Sequence, residues 1–398
     1  MRLRDGRLLG YCTNVHPYAT LPALLEVLGQ EPAALRARLV AAGRLPPDQP
    51  LAVGLWLPAD AAREAARDPA PLRARLASLG LRAYTVNAFP LADFHGARVK
   101  EAVFRPAWSE PARLAATLHA AEALAALLPE EDVGTLSTHS GAWRAWGPPL
   151  ADTDAIVRGL LAAADGLAAL RARSGRRIVL ALEPEPGSTL ETTAEACEFF
   201  ARRLLPAGDA ARTHLGLCFD ACHQAVEFEE PQASLRALRR AGVPVAKVQL
   251  SAALVLRDPA RHAALLAPWA EDRWFHQVVA RAADGSLARL SDLPEALSSA
   301  APAAVRDAAE WRVHFHVPLF AERLDGVGAL RSTQPELRAL LDCPELRDVP
   351  HLEIETYSFA MIPPERRAAL GATTLLDALQ RETEWVLDRL ERDDPTVR

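Results

Sequence analysis

The fold is constrained most strongly by a regular alternation of short apolar runs with long segments rich in Ala, Leu and Arg. Seven such units follow one another over the first two thirds of the chain. The runs are continuous and apolar, as in IVLALE and VAKVQL, which is typical of parallel strands covered by helices. The predicted strands span residues 8–16, 51–57, 81–89, 133–140, 177–183, 214–220 and 245–251. The predicted helices span residues 21–42, 60–79, 110–128, 151–174, 192–205, 231–241 and 258–270.

Consecutive β-α units form either an α/β barrel or a doubly wound sheet. No G-x-G-x-x-G turn follows any predicted strand, so the dinucleotide-binding form of the doubly wound sheet lacks its signature. Polar residues also gather at the ends of many strands, whereas a doubly wound sheet concentrates its site at one switch point. We therefore predict a (β/α)8 TIM barrel.

The last third of the chain departs from this alternation. Residues 274–290 contain two β-rich runs around Asp284-Gly285, which predicts a hairpin. Residues 311–320 and 351–359 are further strand-like runs, one more than a barrel of eight strands needs. We take 351–359 as the closing strand and 274–320 as an insertion near strand seven. The prediction is a single barrel domain over residues 1–398.

Composition narrows the partners. Half of the residues are hydrophobic and the formal net charge is −6, which argues against binding nucleic acid, because phosphate recognition needs clustered Lys and Arg. No apolar run is long enough to span a membrane, and the N-terminus does not resemble a signal peptide. The five cysteines are odd in number and contain no C-x-x-C pair. A reducing cytoplasm is the expected location.

Candidate functional residues lie at the predicted strand ends, where the active face of a TIM barrel is built. Carboxylate and imidazole groups recur there on successive strands, more often than the need of strand ends to meet water would explain. The set is Asn14 and His16, Asn87, His139, Glu183 and Glu185, Asp220 and His223, Gln249, His314 and His316, and Glu353 and Glu355.

Each candidate also has a purely structural explanation. Glu183 could form a salt bridge with a neighbouring Arg, and Asp220 could cap the helix that follows it. His314 and His316 alternate onto one face, and the deeper His314 is more often a hydrogen-bonded core histidine. His16 and His139 are as well explained by loop polarity as by ligand contact.

Glu183, Asp220, a His or Gln, and Glu355 together offer oxygen and imidazole donors, which suit a divalent cation such as Mn²⁺, Mg²⁺, Co²⁺ or Zn²⁺. A cation that holds a carbonyl and an adjacent hydroxyl stabilises an enediolate. Carboxylates beside it can move a proton between neighbouring carbons. Glu183 and Glu355 are the predicted proton-transfer pair.

At these motifs the chain resembles the xylose-isomerase-like superfamily of isomerases, epimerases and endonuclease-IV-type barrels. The family pattern is a Glu ending strand five, Asp-x-x-His on strand six, a His on strand seven and a Glu on strand eight. Glu183, Asp220 with His223, and Glu355 match this pattern. Strand seven departs from it, because that strand offers Gln249, while the candidate histidines His314 and His316 belong to the later VHFHV run.

Seven stretches, in order, resemble the EboE family of metabolite traffic proteins, which bacterial ebo clusters encode. They are LGYCTNVHP, LSTHSG, ALEPEPGSTLE, CFDACH, FHQVVAR, VHFHVPLF and LEIETYSF. The resemblance implies a role in making or relocating a small secondary metabolite, with other ebo-cluster proteins as partners.

The leading hypothesis is a metal-dependent isomerase or epimerase of a sugar-like or cyclitol-like molecule. The metal set would be Glu183, Asp220, His223, Gln249, His316 and Glu355, and the substrate contacts His16, Asn87, His139 and Glu185. The alternative is a non-catalytic barrel that binds a metabolite and hands it to a partner. A phosphodiesterase of the endonuclease IV kind is disfavoured by the acidic balance.

Overall fold

A computed structural model describes residues 1–392, apart from residues 93, 97, 130, 131 and 327. Its largest sheet is a closed barrel of eight strands. The barrel strands are β1 Leu8–Cys12, β2 Leu51–Trp56, β3 Leu81–Asn87, β4 Val133–His139, β5 Arg177–Glu183, β6 Leu215–Asp220, β7 Val245–Leu250 and β13 His351–Ile354. Neighbouring strands pair in the order β1-β13-β7-β6-β5-β4-β3-β2. Every pair is parallel, and β1 closes the barrel by pairing with both β2 and β13. The predicted (β/α)8 TIM barrel is confirmed, with 351–359 supplying the closing strand.

Helices separate the strands along the chain and bury their apolar faces on the barrel. Two of the predicted helices are each divided in two, at Gly29 in the 21–42 segment and at Asp68-Pro69 in the 60–79 segment. The helices are α1 Leu21–Leu28, α2 Glu31–Ala41, α3 Ala59–Arg67, α4 Ala70–Ser78, α5 Pro111–Leu127, α6 Thr153–Ser174, α7 Thr193–Phe199, α8 Asp209–His214, α9 Ala221–Val226, α10 Pro231–Arg240, α11 Pro259–His262, α12 Leu293–Leu297, α13 Ala303–Arg306, α14 Gln334–Leu341, α15 Pro364–Ala369 and α16 Leu375–Arg392. Among the described residues, no helix has the length and apolar character that a membrane crossing requires.

A second, antiparallel sheet of five strands lies between β7 and β13 in the chain. Its strands are β8 Leu254–Arg257, β9 Val278–Arg281, β10 Leu287–Leu290, β11 Glu310–Val313 and β12 Leu330–Ser332. Neighbouring strands pair in the order β10-β9-β11-β8-β12. The predicted hairpin is the β9–β10 pair, which aligns Leu287 with Arg281. The sheet begins before residue 274 and ends after residue 320, so it extends beyond the predicted insertion on both sides. The helix predicted over 258–270 is instead the short α11 followed by a 3-10 segment.

An ion pair fills the barrel interior. Lys247 of β7 and Glu353 of β13 are fully buried, and Lys247 Nζ lies 2.6 Å from Glu353 Oε2. Lys247 Nζ also donates to Ser137 Oγ at 3.1 Å. Gly54 of β2 makes room for this pair, because a Cβ there would overlap Glu353 Oε1. The polar interior of the barrel is therefore built around an ion pair that solvent does not reach.

The last helix, α16, contributes a buried carboxylate to the top of the barrel. Glu382 Oε1 accepts hydrogen bonds from Thr356 Oγ1 at 2.6 Å and from the Leu319 backbone N–H at 3.2 Å. It thereby links the segment after β13 to the segment after β11. Burial raises the pKa of Glu382 to about 7, although both hydrogen bonds lower it.

We expect Glu382→Gln to alter how the free energy of unfolding depends on pH. Because the folded pKa is raised above the usual 4.5, the wild type loses stability as the pH rises from 4.5 to about 7. Gln does not titrate, so the variant should gain up to about 3 kcal/mol relative to wild type over this interval. Urea unfolding of both proteins at pH values from about 5 to about 8 measures the difference. A difference that does not change with pH would contradict the assignment.

Candidate functional site

Three carboxylates meet at the carboxyl ends of the barrel strands. Glu183 ends β5, Asp220 ends β6 and Glu355 directly follows β13. All three side chains are buried, and one oxygen of each lies within 4.8 Å of the others. Parallel strands bring their carboxyl ends to the same rim, so residues that are distant in the sequence converge here. A cluster of buried carboxylates is costly unless a cation or protons neutralise it.

Asp220 caps a helix with one carboxylate oxygen and leaves the other oxygen without a partner. It is the N-cap of α9, where its Oδ1 accepts from the His223 backbone N–H at 2.9 Å and from Ser251 Oγ at 2.8 Å. Its Oδ2 has no hydrogen-bond partner in the described structure. The cap fixes the carboxylate plane and places His223 about one helical turn above the strand end, while Oδ2 is not used in capping.

The segment that follows β11 of the antiparallel sheet places a histidine near this cluster. His316 follows β11, and one of its ring nitrogens lies within 4.8 Å of donor atoms of Asp220 and His223. Gln249 of β7 is aligned with Asp220 on one side and with Glu353 on the other. Neither atom of the Gln249 amide has a hydrogen-bond partner among the described residues. Both candidates for the strand-seven position are therefore buried, and a ring nitrogen of His316 lies near the Asp220 carboxylate.

The ring tautomers of His223 and His316 follow from their partners. The Nδ1 atom of His223 lies 3.0 Å from the Pro184 carbonyl oxygen, and that of His316 lies 2.7 Å from the Glu355 carbonyl oxygen. A carbonyl oxygen only accepts, so both Nδ1 atoms carry hydrogen. In the neutral form each Nε2 then presents a lone pair. This arrangement, in which one ring nitrogen (here Nδ1) donates to a carbonyl oxygen and the other presents a lone pair, is typical of histidines that bind metals.

His314 repeats the pattern. Its Nδ1 lies 2.8 Å from Gln277 Oε1, and Gln277 Nε2 donates to the Pro186 carbonyl oxygen at 2.9 Å. The amide orientation therefore makes Gln277 the acceptor, and His314 Nδ1 carries the hydrogen. His314 Nε2 faces His223 Nε2 at 3.2 Å. Two lone pairs at this distance repel unless a proton or a cation lies between them.

Burial dominates the acid–base properties of the carboxylates. It raises the pKa of Glu183 to about 8, against the opposing effect of His223, and raises the pKa of Glu185 to about 6. The pKa of Glu355 is well above its usual value because of burial and the nearby charges of Glu183 and Asp220. For Asp220, burial raises the pKa, but the neighbouring histidines and its two hydrogen bonds outweigh burial and lower it. Asp220 is thus the member of the cluster that stays ionised most readily.

The three histidines divide in a similar way. Burial lowers the pKa of His316 to about 4 and holds that of His314 well below its usual value. For His223, burial lowers the pKa, but Asp220 and two glutamates outweigh this and raise it. Without a bound cation, a protonated His223 would donate its Nε2 hydrogen to His314 Nε2. With a cation in place, both rings are available as neutral ligands.

The residues fit a divalent cation. Buried donor atoms without a hydrogen-bond partner, among the residues that the structure describes, include Glu183 Oε2, Asp220 Oδ2, Glu185 Oε2 and His316 Nε2. Donor atoms within 4.8 Å of one another form four overlapping groups: Glu183, Asp220 and Glu355; Asp220, His223 and His316; Glu185, His223 and His314; and Cys222, His314 and His316. This spacing is close to twice the typical metal–ligand distance of about 2.1 Å.

A cavity opens directly above these groups. Its polar floor is formed by Asn14, Asn87, Glu183, Glu185, His223, Gln277, His314 and Glu355. Asn14 Nδ2 and Asn87 Nδ2 both donate to Glu355 Oε1, at 2.8 and 3.2 Å, and fix the orientation of that carboxylate. Of the predicted substrate contacts, Asn87 and Glu185 line the cavity.

The other two predicted substrate contacts are buried elsewhere. His16 Nε2 lies 3.1 Å from the Tyr11 hydroxyl, and the ring contacts Tyr11 edge-on. His139 Nδ1 accepts from the Gly141 backbone N–H, and its ring packs against Phe89 and Phe104. Neither histidine is among the described residues that line the cavity. Their roles as substrate contacts stay predictions.

The sequence assigned no role in this site to three residues that line the cavity. His314 was expected to be a core histidine, yet it is both buried and directed into the cavity. Gln277 and Tyr357 also line it. Alternation along VHFHV indicated that His314 shares a face with His316, and that was the available signal. Nothing in the sequence around Gln277 distinguishes it from an ordinary strand residue.

Comparison with known proteins leaves the family open. No family model matches the chain, and no curated protein matches it. Among solved structures, endonuclease IV from Thermus thermophilus is 17% identical, with 97% of this chain and 99% of that chain covered and a TM-score of 0.44. The IolI protein, solved with a bound zinc atom, is 11% identical over 97% of this chain and 98% of that chain, with a TM-score of 0.45. The 3-keto-D-glucoside 4-epimerase from E. coli is 16% identical over 61% of this chain and 78% of that chain, with a TM-score of 0.35.

Proposed function

We propose that the protein is a divalent-metal-dependent isomerase or epimerase of a small sugar-like or cyclitol-like molecule. The observation that carries the proposal is a cluster of buried donor atoms at the cavity. Those of Glu183, Asp220 and Glu355 lie within 4.8 Å of one another, and a ring nitrogen of His316 lies equally close to Asp220. The resemblance to the EboE family points in the same direction, toward a small metabolite. Other proteins of an ebo cluster would then supply its substrate or receive its product.

Glu183, Asp220, His316 and Glu355 would hold the cation, with His223 and Gln249 beside them. Imidazole donors suit Zn²⁺ and Co²⁺ better than Mg²⁺, whereas carboxylates accept Mn²⁺ and Mg²⁺ as well. The bound cation would supply positive charge that stabilises the oxyanion developing on the substrate.

Proton transfer falls to Glu183 and Glu355. Both line the cavity, and burial raises the pKa of each, so that each carboxyl holds a proton more readily than it would in water. A carboxylate here would take a proton from one substrate carbon, and a protonated carboxyl would return it to the same or the neighbouring carbon. Asn14 and Asn87 hold one oxygen of Glu355 and so orient the group that carries the proton.

Hydrogen exchange from solvent tests the chemistry without knowledge of the natural substrate. Metal-loaded protein would be incubated in D₂O with a panel of ketoses and cyclitol ketones, and loss of the hydrogen beside the carbonyl followed by NMR. We expect exchange with wild type and a loss of about 10²- to 10⁴-fold in Glu183→Gln and in Glu355→Gln. Glu122→Gln, in a surface ion pair with Arg173 on the outer helices, is the matched control.

The same experiment distinguishes the alternative function. If the metal-loaded protein binds a member of the panel but exchanges no hydrogen, it is a metabolite-binding barrel that lacks turnover. Exchange that is equally fast in wild type and in both glutamine variants would show that other groups move the proton.

A further inference from the structure

The cavity above the acidic floor is lined by aromatic rings in two groups. The first group consists of Phe94, Trp274 and Tyr357, whose ring centroids lie 4.9 to 5.2 Å apart. Trp274 Nε1 donates to the Phe94 carbonyl oxygen at 3.0 Å, so its polar edge is already satisfied. These rings come from three separate segments of the chain and present carbon surface to the cavity.

The second group consists of Phe89, Phe104 and Phe275. Phe89 and Phe104 are 5.8 Å apart, and Phe275 stacks on Trp143 at 4.8 Å, which in turn packs against Phe104. Phe89 and Phe275 are only half-buried, unlike Phe104. The aromatic lining therefore continues from the buried floor to the mouth of the cavity. A purely hydroxylated ligand would leave much of this apolar surface without a matching partner.

The charges around the cavity oppose an anionic ligand. Glu183, Glu185 and Glu355 line it, and Asp220 lies beneath them. Among the described lining residues there is one Lys or Arg, which is Lys100. Phosphate and carboxylate groups are normally bound by Arg or Lys side chains with donors to spare.

Lys100 is already engaged. Its Nζ lies 2.6 Å from Asp292 Oδ2 and donates to the Trp274 carbonyl oxygen at 2.8 Å, and the side chain is only 3% exposed. Its backbone φ of 41° also holds it in a conformation that L residues rarely adopt. Lys100 thus ties the segment after β3 to the antiparallel sheet and has little capacity left for a ligand.

The cavity has the size of a small-molecule site. Its empty space, with the open mouth included, comes to about 530 Å³, within the range of roughly 300–1,000 Å³ that such sites occupy. A compact polar head fits over the floor, and any larger group must lie among the aromatic rings toward the mouth.

From the aromatic lining, the acidic floor and the fully hydrogen-bonded Lys100, we infer that the ligand is an uncharged, amphipathic molecule with a hydroxy-ketone or polyol head joined to an apolar ring. The head meets the carboxylate and imidazole floor, and the ring lies against the aromatic groups. Phosphorylated forms of the same molecule are rejected. The inference rests on the proposed function in one respect, because it assigns the head to the same metal-bearing floor.

Matched ligand series test the inference. Three heads would be compared by calorimetry on metal-loaded protein: a glucopyranoside, a myo-inositol ether and a 1-hydroxy-2-ketone. Each would be prepared with a methyl substituent, with a phenyl or benzyl substituent, and as the phosphate ester of the aryl form. For at least one head we expect the aryl form to bind about tenfold tighter than the methyl form, because it buries a ring against aromatic side chains. The phosphate ester should bind at least about tenfold more weakly than its parent.

Substitutions in the aromatic lining test whether the aryl group binds there. Trp274→Ala should remove the preference for the aryl form while changing the affinity of the methyl form little. Since Trp274 is buried and its loss could disturb folding, the half-buried Phe275→Leu serves as a second variant with the same expected direction. Trp146→Ala is the control, because the Trp146 ring stacks on Arg105 and does not line the cavity.

Equal affinities of methyl and aryl forms, tighter binding of the phosphate esters, or no binding by any member of the series would each overturn the inference. The proposed function fails separately. An aryl preference without hydrogen exchange would keep the inference and remove the isomerase, whereas hydrogen exchange on a preferred phosphate ester would do the reverse.

Discussion

Exchanging Asp220 for Asn is expected to lower the affinity for a divalent cation by at least about 100-fold, since removing a group that merely orients a ligand already costs 10- to 100-fold. The substitution is close to isosteric, and Asn retains the oxygen that caps α9. It replaces the unpartnered Oδ2 with an amide group that cannot bind a cation. Elemental analysis of protein purified without chelator, followed by titration against a chromophoric chelator, measures the change.

Two further variants decide which residue fills the strand-seven position. His316→Ala should weaken binding by a similar factor, because a ring nitrogen of His316 lies within 4.8 Å of donor atoms of Asp220 and His223. Gln249→Leu should have a smaller effect, since a neutral amide oxygen is a weaker ligand than an imidazole for a metal such as Zn²⁺. His119→Ala, on the outer helix α5, is the control. Absence of metal from wild type under every loading condition would refute the metal site and leave the metabolite-binding barrel.

The largest effect on stability is expected from Lys247→Met, which should lower the free energy of unfolding by about 3–5 kcal/mol. Lys247 and Glu353 have no exposed surface and lie 2.6 Å apart. Removing the Lys247 ammonium group leaves the buried Glu353 carboxylate without a counter-charge, and the desolvation of that carboxylate is then uncompensated. Urea unfolding of wild type and variant, followed by circular dichroism, gives the difference.

The double variant Lys247→Met, Glu353→Gln separates the pair from the packing of the Lys side chain. It removes both charges, so we expect it to recover a large part of the loss. Arg173→Met breaks an exposed ion pair with Glu122 and should cost less than about 1 kcal/mol. A loss of that small size in Lys247→Met would mean that the buried pair is not maintained in solution.

Most of the barrel could be predicted from the sequence, because the relevant signals are local. A buried parallel strand is recognised from its continuous apolar run, as in residues 178–183, and the helix after it from its Ala- and Leu-rich length. The antiparallel sheet was only partly predicted. Its strands Leu254–Arg257 and Leu330–Ser332 have four and three residues, too few to show a period, and they pair with strands far away in the chain.

The same division holds for the site. Glu183, Asp220 and Glu355 could be proposed together because parallel strands bring their carboxyl ends to one rim, whatever the loops do. His314 and Gln277 could not be assigned, because their contacts depend on how the antiparallel sheet packs over the barrel mouth. Trp274 and Phe94 form one wall of the cavity although 180 residues separate them.

By itself, the sequence determined the eight-stranded barrel and the rim on which polar side chains collect, since both follow from local apolar runs and the helical segments between them. Only the tertiary structure decided that an imidazole reaches Asp220 on this rim from outside the barrel strands. It also decided that Lys247 neutralises Glu353 beneath the site, and that aromatic rings from separate segments close around the cavity. Such contacts depend on the packing of segments that are remote in the chain, and no local pattern of residues records that packing.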